Sequence, residues 1–242
     1  MYWQFCLNLF ILLWTTSTSS QHRYLDKHSS NGEIIKHKFY SLSYLESHEQ
    51  AEWVTYYLYP DFLKGNAFRK NNFRPDLKIQ SKSADSRDYA KSGYDRGHLV
   101  PAGDMIYSTE SMSESFLYSN IAPQRPSFNR GIWKNLESRV REWGKSFEII
   151  VVTGGLLNDG NLEKIGPNNV SVPKEFFKII YAPKENEMIG FILPNQKVLD
   201  GIWNYVMTVD EIEEITCIDF FIELDENIES SLEAKFDIKK WQ

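Results

Sequence analysis

Apolar positions along the chain follow two periods. Lys38–Tyr44 alternates enough to be a strand, and Ala51–Tyr59, rich in Trp, Val, Thr and Tyr, reads as its hairpin partner until Pro60 stops it. Further strands are expected at Tyr94–Pro101, Glu148–Thr153, Phe176–Tyr181, Met188–Leu193 and Ile218–Leu224. Between Asn129 and Trp143 the spacing becomes helical, with Ile132, Trp133, Leu136, Val140 and Trp143 on one face. Thr208–Thr216 is expected to be a helix because Thr208 and Glu211 have the spacing of a capping box. A last helix is expected over 227–235. Strands and helices mix without strict βαβ alternation, which predicts an α+β fold with a central, mainly antiparallel sheet flanked by helices. No repeat occurs at solenoid or propeller spacing.

The first twenty residues carry no charge; Phe5–Trp14 is mostly apolar and Thr15–Ser20 is a run of small hydroxyl residues. This order reads as a secretory signal over 1–20, and it predicts a secreted or periplasmic protein with no membrane partner after processing. An uncleaved N-terminal anchor is the alternative, although the apolar stretch is short of the roughly 20 residues a span needs. Residues 21–35 are polar and read as a flexible lead-in, leaving 36–242 as one domain. Cys217 is the only cysteine beyond the leader and is expected to be a small buried apolar residue beside a strand. Residues 64–92 lack apolar periodicity and form a long basic loop, a type that is commonly functional.

Charge changes the picture locally. The chain has a net charge of −6, yet residues 63–145 hold 15 Lys and Arg against 9 Asp and Glu. The remainder holds 12 against 24. A basic middle within an acidic protein is suited to a local phosphate-binding face.

His98 is the only histidine after residue 48, so the core lacks the ligands of a multi-histidine zinc site. No G-x-S-x-G and no Walker A loop occurs. Acid–base work near neutral pH therefore falls to His98 or to a carboxylate with a shifted pKa. Arg96 and His98 are two apart on an expected strand and share a face, where one neutralises a phosphodiester and the other takes a proton from water. Gly97 between them allows close approach of another group.

The stretch Tyr94-Asp95-Arg96-Gly97-His98-Leu99-Val100-Pro101-Ala102-Gly103-Asp104 resembles the signature of the DNA/RNA non-specific endonucleases, whose fold is built around a ββα-metal (His-Me finger) site. A second block is similar to that family's metal-binding block: Asn120-Ile121-Ala122-Pro123-Gln124, then Phe128-Asn129-Arg130-Gly131, Trp133, Leu136 and Glu137. Val152-Thr153-Gly154-Gly155, Val172-Pro173 with Phe177-Lys178, and Val209–Glu213 extend the resemblance over most of the chain. It implies that Asn129 is the direct Mg²⁺ ligand, with Mn²⁺ as an alternative ion. It also implies that Glu137 holds metal-bound water and that Asn120 and Gln124, with Asp95 and Arg130, support the site. The family carries an arginine upstream of the histidine motif that helps stabilise the transition state. Arg69 and Arg74 are the candidates, and Arg69 is preferred.

Helical geometry agrees with the second block, since at about 100° per residue Asn129 lies within the apolar arc and Glu137 flanks it. A simpler reading, that Asn129 caps this helix, stays open. The expected activity is hydrolysis of DNA and RNA by His98-activated water, leaving 5′-phosphate ends. The alternatives are a catalytically silent nucleic-acid-binding homologue and a phosphodiesterase of small nucleotides. The resemblance leaves a homodimer open.

Overall fold

The computed structural model describes residues 27–242, so the leader expected over 1–20 lies outside the described residues. The strands are β1 (Glu33–Lys36), β2 (Ser41–Leu45), β3 (Gln50–Leu58), β4 (Asp95–His98), β5 (Ile121–Gln124) and β6 (Ile149–Gly155). They continue with β7 (Lys164–Ile165), β8 (Val170–Ser171), β9 (Glu175–Ala182), β10 (Glu187–Pro194) and β11 (Val206–Met207). Seven of them form one sheet in the order β1-β2-β3-β6-β9-β10-β11, and every neighbouring pair is antiparallel. β4 pairs with β5 and β7 with β8 as separate two-stranded sheets.

Both faces of the large sheet are buried. Ile149 and Val151 of β6 join Tyr56, Phe176 and Ile180 in one core, whereas Ile150 and Val152 join Trp53, Phe177 and Tyr181 in another. This is why β6, β9 and β10 read as almost continuous apolar runs rather than half-polar alternations.

The helices are α1 (Ser86–Tyr89), α2 (Thr109–Glu114), α3 (Lys134–Ser146), α4 (Val209–Thr216), α5 (Glu226–Glu233) and α6 (Ile238–Trp241). Leu136, Val140 and Trp143 of α3 cover the first face of the sheet. Val209 and Ile212 of α4 and Leu232 of α5 cover the second. Thr208 caps α4 through the expected reciprocal bonds with Glu211. Among elements that the apolar pattern did not announce, α1 and α2 open on side-chain capping boxes at Asp85 and Ser108. In α6, the Trp241 carbonyl accepts a hydrogen bond from Trp143 Nε1 at 2.9 Å.

Four expectations are corrected. Ile218–Leu224 is not a strand: Cys217 and Phe221 have φ of 57° and 55°. Consecutive Phe220 and Phe221 both enter the second core, which strand alternation would forbid. Cys217 is exposed rather than buried, because it ends α4 in the left-handed conformation. The flexible lead-in does not reach residue 35, since β1 starts at Glu33. His28 is already buried there, its Nδ1 accepting from the Phe221 N–H at 3.0 Å. Finally, the helix carrying Asn129 starts earlier: Pro126–Phe128 forms a first turn and Asn129–Trp133 is π-helical with a kink at Gly131 before α3 begins. Pro at the first helical position is favourable because its missing N–H would be unpaired there in any case.

Candidate active site

The β4–β5 ladder and the helix behind it bring the signature residues together. His98 pairs with Ile121, Gly97 with Ala122, Arg96 with Pro123 and Asp95 with Gln124. Asn120 is buried at the end of this ladder. Its Oδ1 accepts from the Val100 N–H at 2.8 Å, and its Nδ2 donates to Val100 O at 3.1 Å and Ser115 O at 2.9 Å. Asn120 thus clamps the backbone just beyond His98. The close approach expected at Gly97 is made by a side chain, since a Cβ there would meet Gln124 Oε1 at 2.2 Å. Gln124 is fully buried, and neither amide atom has a hydrogen-bond partner.

Asp95 joins the ladder to the helix. It accepts from Asn129 Nδ2 at 2.9 Å and from Arg130 Nε and Nη2 at 2.8 and 2.6 Å. Burial works against its charge, yet the bonds from Arg130 and Asn129 hold its carboxyl below the usual range. Asn129 is helical, with φ −56° and ψ −45°, and follows a complete turn, so it does not cap the helix. Its amide nitrogen is engaged by Asp95, which leaves Oδ1 as the atom open to a cation; the side chain is half-exposed.

His98 lies against Phe73 and Phe116, with ring centroids 5.5 and 4.9 Å away. Burial, then the charges of Arg69 and Arg96, push its pKa down to about 3. Arg96 stacks its guanidinium on the same Phe73 ring at 4.2 Å, so Arg96 and His98 do share a face. Arg69 lies over Phe116 at 5.0 Å. Arg74 does not: its guanidinium donates to Ser113 O at 2.8 Å and its backbone bridges to Leu117. Of the two loop arginines, Arg69 is the one beside His98. Arg69, Phe73, Tyr94, Arg96, Asn129 and Arg130 line an open groove of about 540 Å³.

Glu137 interacts with a cluster of charges made by Asp104, Arg141 and Lys178. Burial pushes the Glu137 carboxyl up to about 7; Asp104 adds to this, while Lys178, Arg141 and Arg69 oppose it. Asp104 is buried, accepts from Tyr56 Oη at 2.7 Å and pairs with Arg141 Nε at 2.9 Å. Lys178 is fully buried on β9, its Nζ lies 4.7 Å from the Trp133 ring centre, and no hydrogen bond reaches it. Burial lowers its pKa to about 8, against the pull of Glu137 and Asp104. Sequence reasoning placed Lys178 only among fold-matching residues. The available signal was a single cation inside an apolar strand, which must have a partner. Arg141 was missed although it is one turn from Glu137.

The arrangement combines an imidazole, two adjacent permanent cations and an amide oxygen beside an open groove. Comparison with known proteins agrees with it. Residues 19–227 match the model of the DNA/RNA non-specific endonuclease family. The chain is 36% identical to a nuclease of Nostoc sp. over 213 residues, covering 82% of this chain and 76% of that one. It is 32% identical to human mitochondrial endonuclease G over 210 residues, covering 75% and 71%. It is also 32% identical to mouse mitochondrial nuclease EXOG, spanning 80% of this chain but 58% of that relative. Among solved structures, that of an EndoG/EndoGI complex aligns with a TM-score of 0.74 at 31% identity, covering 80% of this chain and 87% of the other. With its β4–β5–helix site set beside a large antiparallel sheet, the chain belongs to the DNA/RNA non-specific endonuclease family.

Proposed function

We propose that the protein is a sugar-non-specific endonuclease that hydrolyses phosphodiesters of DNA and RNA with His98 as general base. One observation carries this reading: His98, Arg96 and Arg69 pack on the same two rings, Phe73 and Phe116, beside an open groove, so an imidazole and two cations stand together where a phosphodiester would lie. A neutral imidazole accepts a proton from water. The water oxygen bonds to phosphorus as the bond to the 3′ oxygen breaks, and that oxygen takes a proton from solvent, leaving a 5′-phosphate and a 3′-hydroxyl. Arg69 and Arg96 face the charge that develops on the phosphoryl oxygens. Water as nucleophile makes the ribose 2′-OH unnecessary, so both polymers serve.

The donor set fits a hard divalent cation such as Mg²⁺ or Mn²⁺. Asn129 offers an oxygen already oriented by Asp95, and Glu137 offers a carboxylate. When bound, the ion supplies Lewis-acid stabilisation of the phosphoryl and leaving oxygens. Asn129 would hold it directly and Glu137 through water. Asp95 and Arg130 keep the Asn129 amide in place, and Asn120 and Gln124 keep β4 and β5 in place. The exposed arginines around an open groove favour a polymer over a small nucleotide, and the intact set of Arg96, His98, Asn129 and Glu137 disfavours a silent homologue. The uncharged apolar leader supports export.

Supercoiled plasmid and single-stranded RNA, incubated with the protein in Mg²⁺, Mn²⁺, Ca²⁺ or EDTA, test this. Both polymers are expected to be cut in Mg²⁺ or Mn²⁺ and neither in EDTA. Asn129→Ala is expected to raise the metal concentration for half-maximal cutting at least tenfold. Cleavage of one polymer only, or cleavage unaffected by EDTA, contradicts the proposal.

A further inference from the structure

On the face of the sheet opposite His98, α4 and α5 bring carboxylates together. Asp210 and Glu213 are one turn apart on α4, and Glu233 reaches them from the end of α5. One oxygen from each lies within 4.8 Å of the others. Glu233 is only 4% exposed, and its Oε1 has no hydrogen-bond partner. Glu229, one turn earlier on α5, also has a buried, unpartnered Oε1. Glu213 is oriented by the Phe220 N–H, which donates to its Oε1 at 2.7 Å. Among the described residues no lysine or arginine pairs with any of these four.

A nearly fully buried carboxylate with an unsatisfied oxygen, aimed at two others, is not a stable arrangement of anions alone. Either protons or a cation must neutralise it. The donors are all carboxylate oxygens with no nitrogen or sulfur, which selects a hard ion. Ca²⁺ takes about six to eight oxygen ligands in flexible geometry, which an irregular set of three carboxylates completed by water accommodates. Mg²⁺ binds at about 2.0–2.1 Å and needs a tighter octahedron.

We propose that Asp210, Glu213 and Glu233 bind one Ca²⁺ ion that clamps α5 onto α4, separately from the catalytic metal. The ion would secure Leu232 in the second core and convert a repulsive contact between two helices into a tie.

Thermal unfolding of the full chain at pH 7.5, in EDTA and in excess Ca²⁺ or Mg²⁺, with calorimetric titration of Ca²⁺, tests the site. A ligand that binds only the folded state raises its Tm. The expected result is a Tm rise of several degrees in Ca²⁺ and a smaller one in Mg²⁺. The Ca²⁺ rise should persist in Asn129→Ala, whose catalytic site is altered, and disappear in Glu233→Gln. Asp210→Asn, at a half-exposed position, is a second variant that should lose the rise should Glu233→Gln fail to fold. Absence of a Ca²⁺ rise in the wild type points to a protonated cluster and overturns the proposal. A rise that survives in Asp210→Asn or Glu233→Gln, or one that vanishes in Asn129→Ala, overturns it as well.

Discussion

At the residue scale, packing and neighbouring charge set the protonation state of His98. Phe73 and Phe116 remove water from the ring, and Arg69 and Arg96 add positive charge, so protonation is disfavoured twice. In the unfolded chain the same imidazole titrates near 6.5. The folded pKa of about 3 lies below that value, so the unfolded state binds the proton first as pH falls. This contribution to stability is fully present above pH 6.5 and is lost progressively as pH falls toward 3. An NMR titration of the His98 ring should therefore stay flat from pH 8 to 5; a midpoint near 6.5 contradicts the account of its environment. Arg96 and His98 were legible because a period of two puts them on one face of any strand. The choice between Arg69 and Arg74 was not, because the loop that carries both has no period, and only the bonds of Arg74 to Ser113 show which way it turns. The reading of Asn129 as a cap failed because Pro126, an apt first helical residue, moves the helix start upstream.

At the scale of elements, the site depends on three contacts: β4 on β5, Asp95 on the helix, and β9 beneath α3. The first requires Gly97, whose missing Cβ gives Gln124 its place. The last brings Lys178 to the Trp133 ring, where its charge opposes the rise in the Glu137 carboxyl pKa. Lys178→Met removes that opposition, so the Glu137 pKa should rise further and the acid limb of the pH–rate profile should move to higher pH. Activity at pH 7 should fall and recover at more alkaline pH; an unchanged profile would show that Lys178 only fills space. β6, β9 and β10 were legible as long apolar runs, whereas Ile218–Leu224 misled because its composition is that of a strand while Cys217 and Phe221 reverse the backbone. The short helices α1 and α2 rest on capping side chains rather than on an apolar stripe, so periodicity did not reveal them.

For the whole molecule, net charge is a poor guide and its distribution a better one. The acids include the cluster between α4 and α5, while the groove gathers Arg69, Arg96 and Arg130 from the basic middle of the chain. The large sheet separates the two, so an acidic protein presents a cationic face to nucleic acid. Such a face reads the backbone and is blind to sequence. A single site built on water activation should also treat deoxyribose and ribose alike. The most direct test compares wild type and His98→Ala on plasmid and on single-stranded RNA, with binding to both measured in parallel. Loss of a positioned base should slow cutting of both polymers by roughly 10²–10⁴-fold, with affinity for each nearly unchanged. Retained cutting, loss on one polymer only, or an equal loss of binding would contradict His98 as the common base.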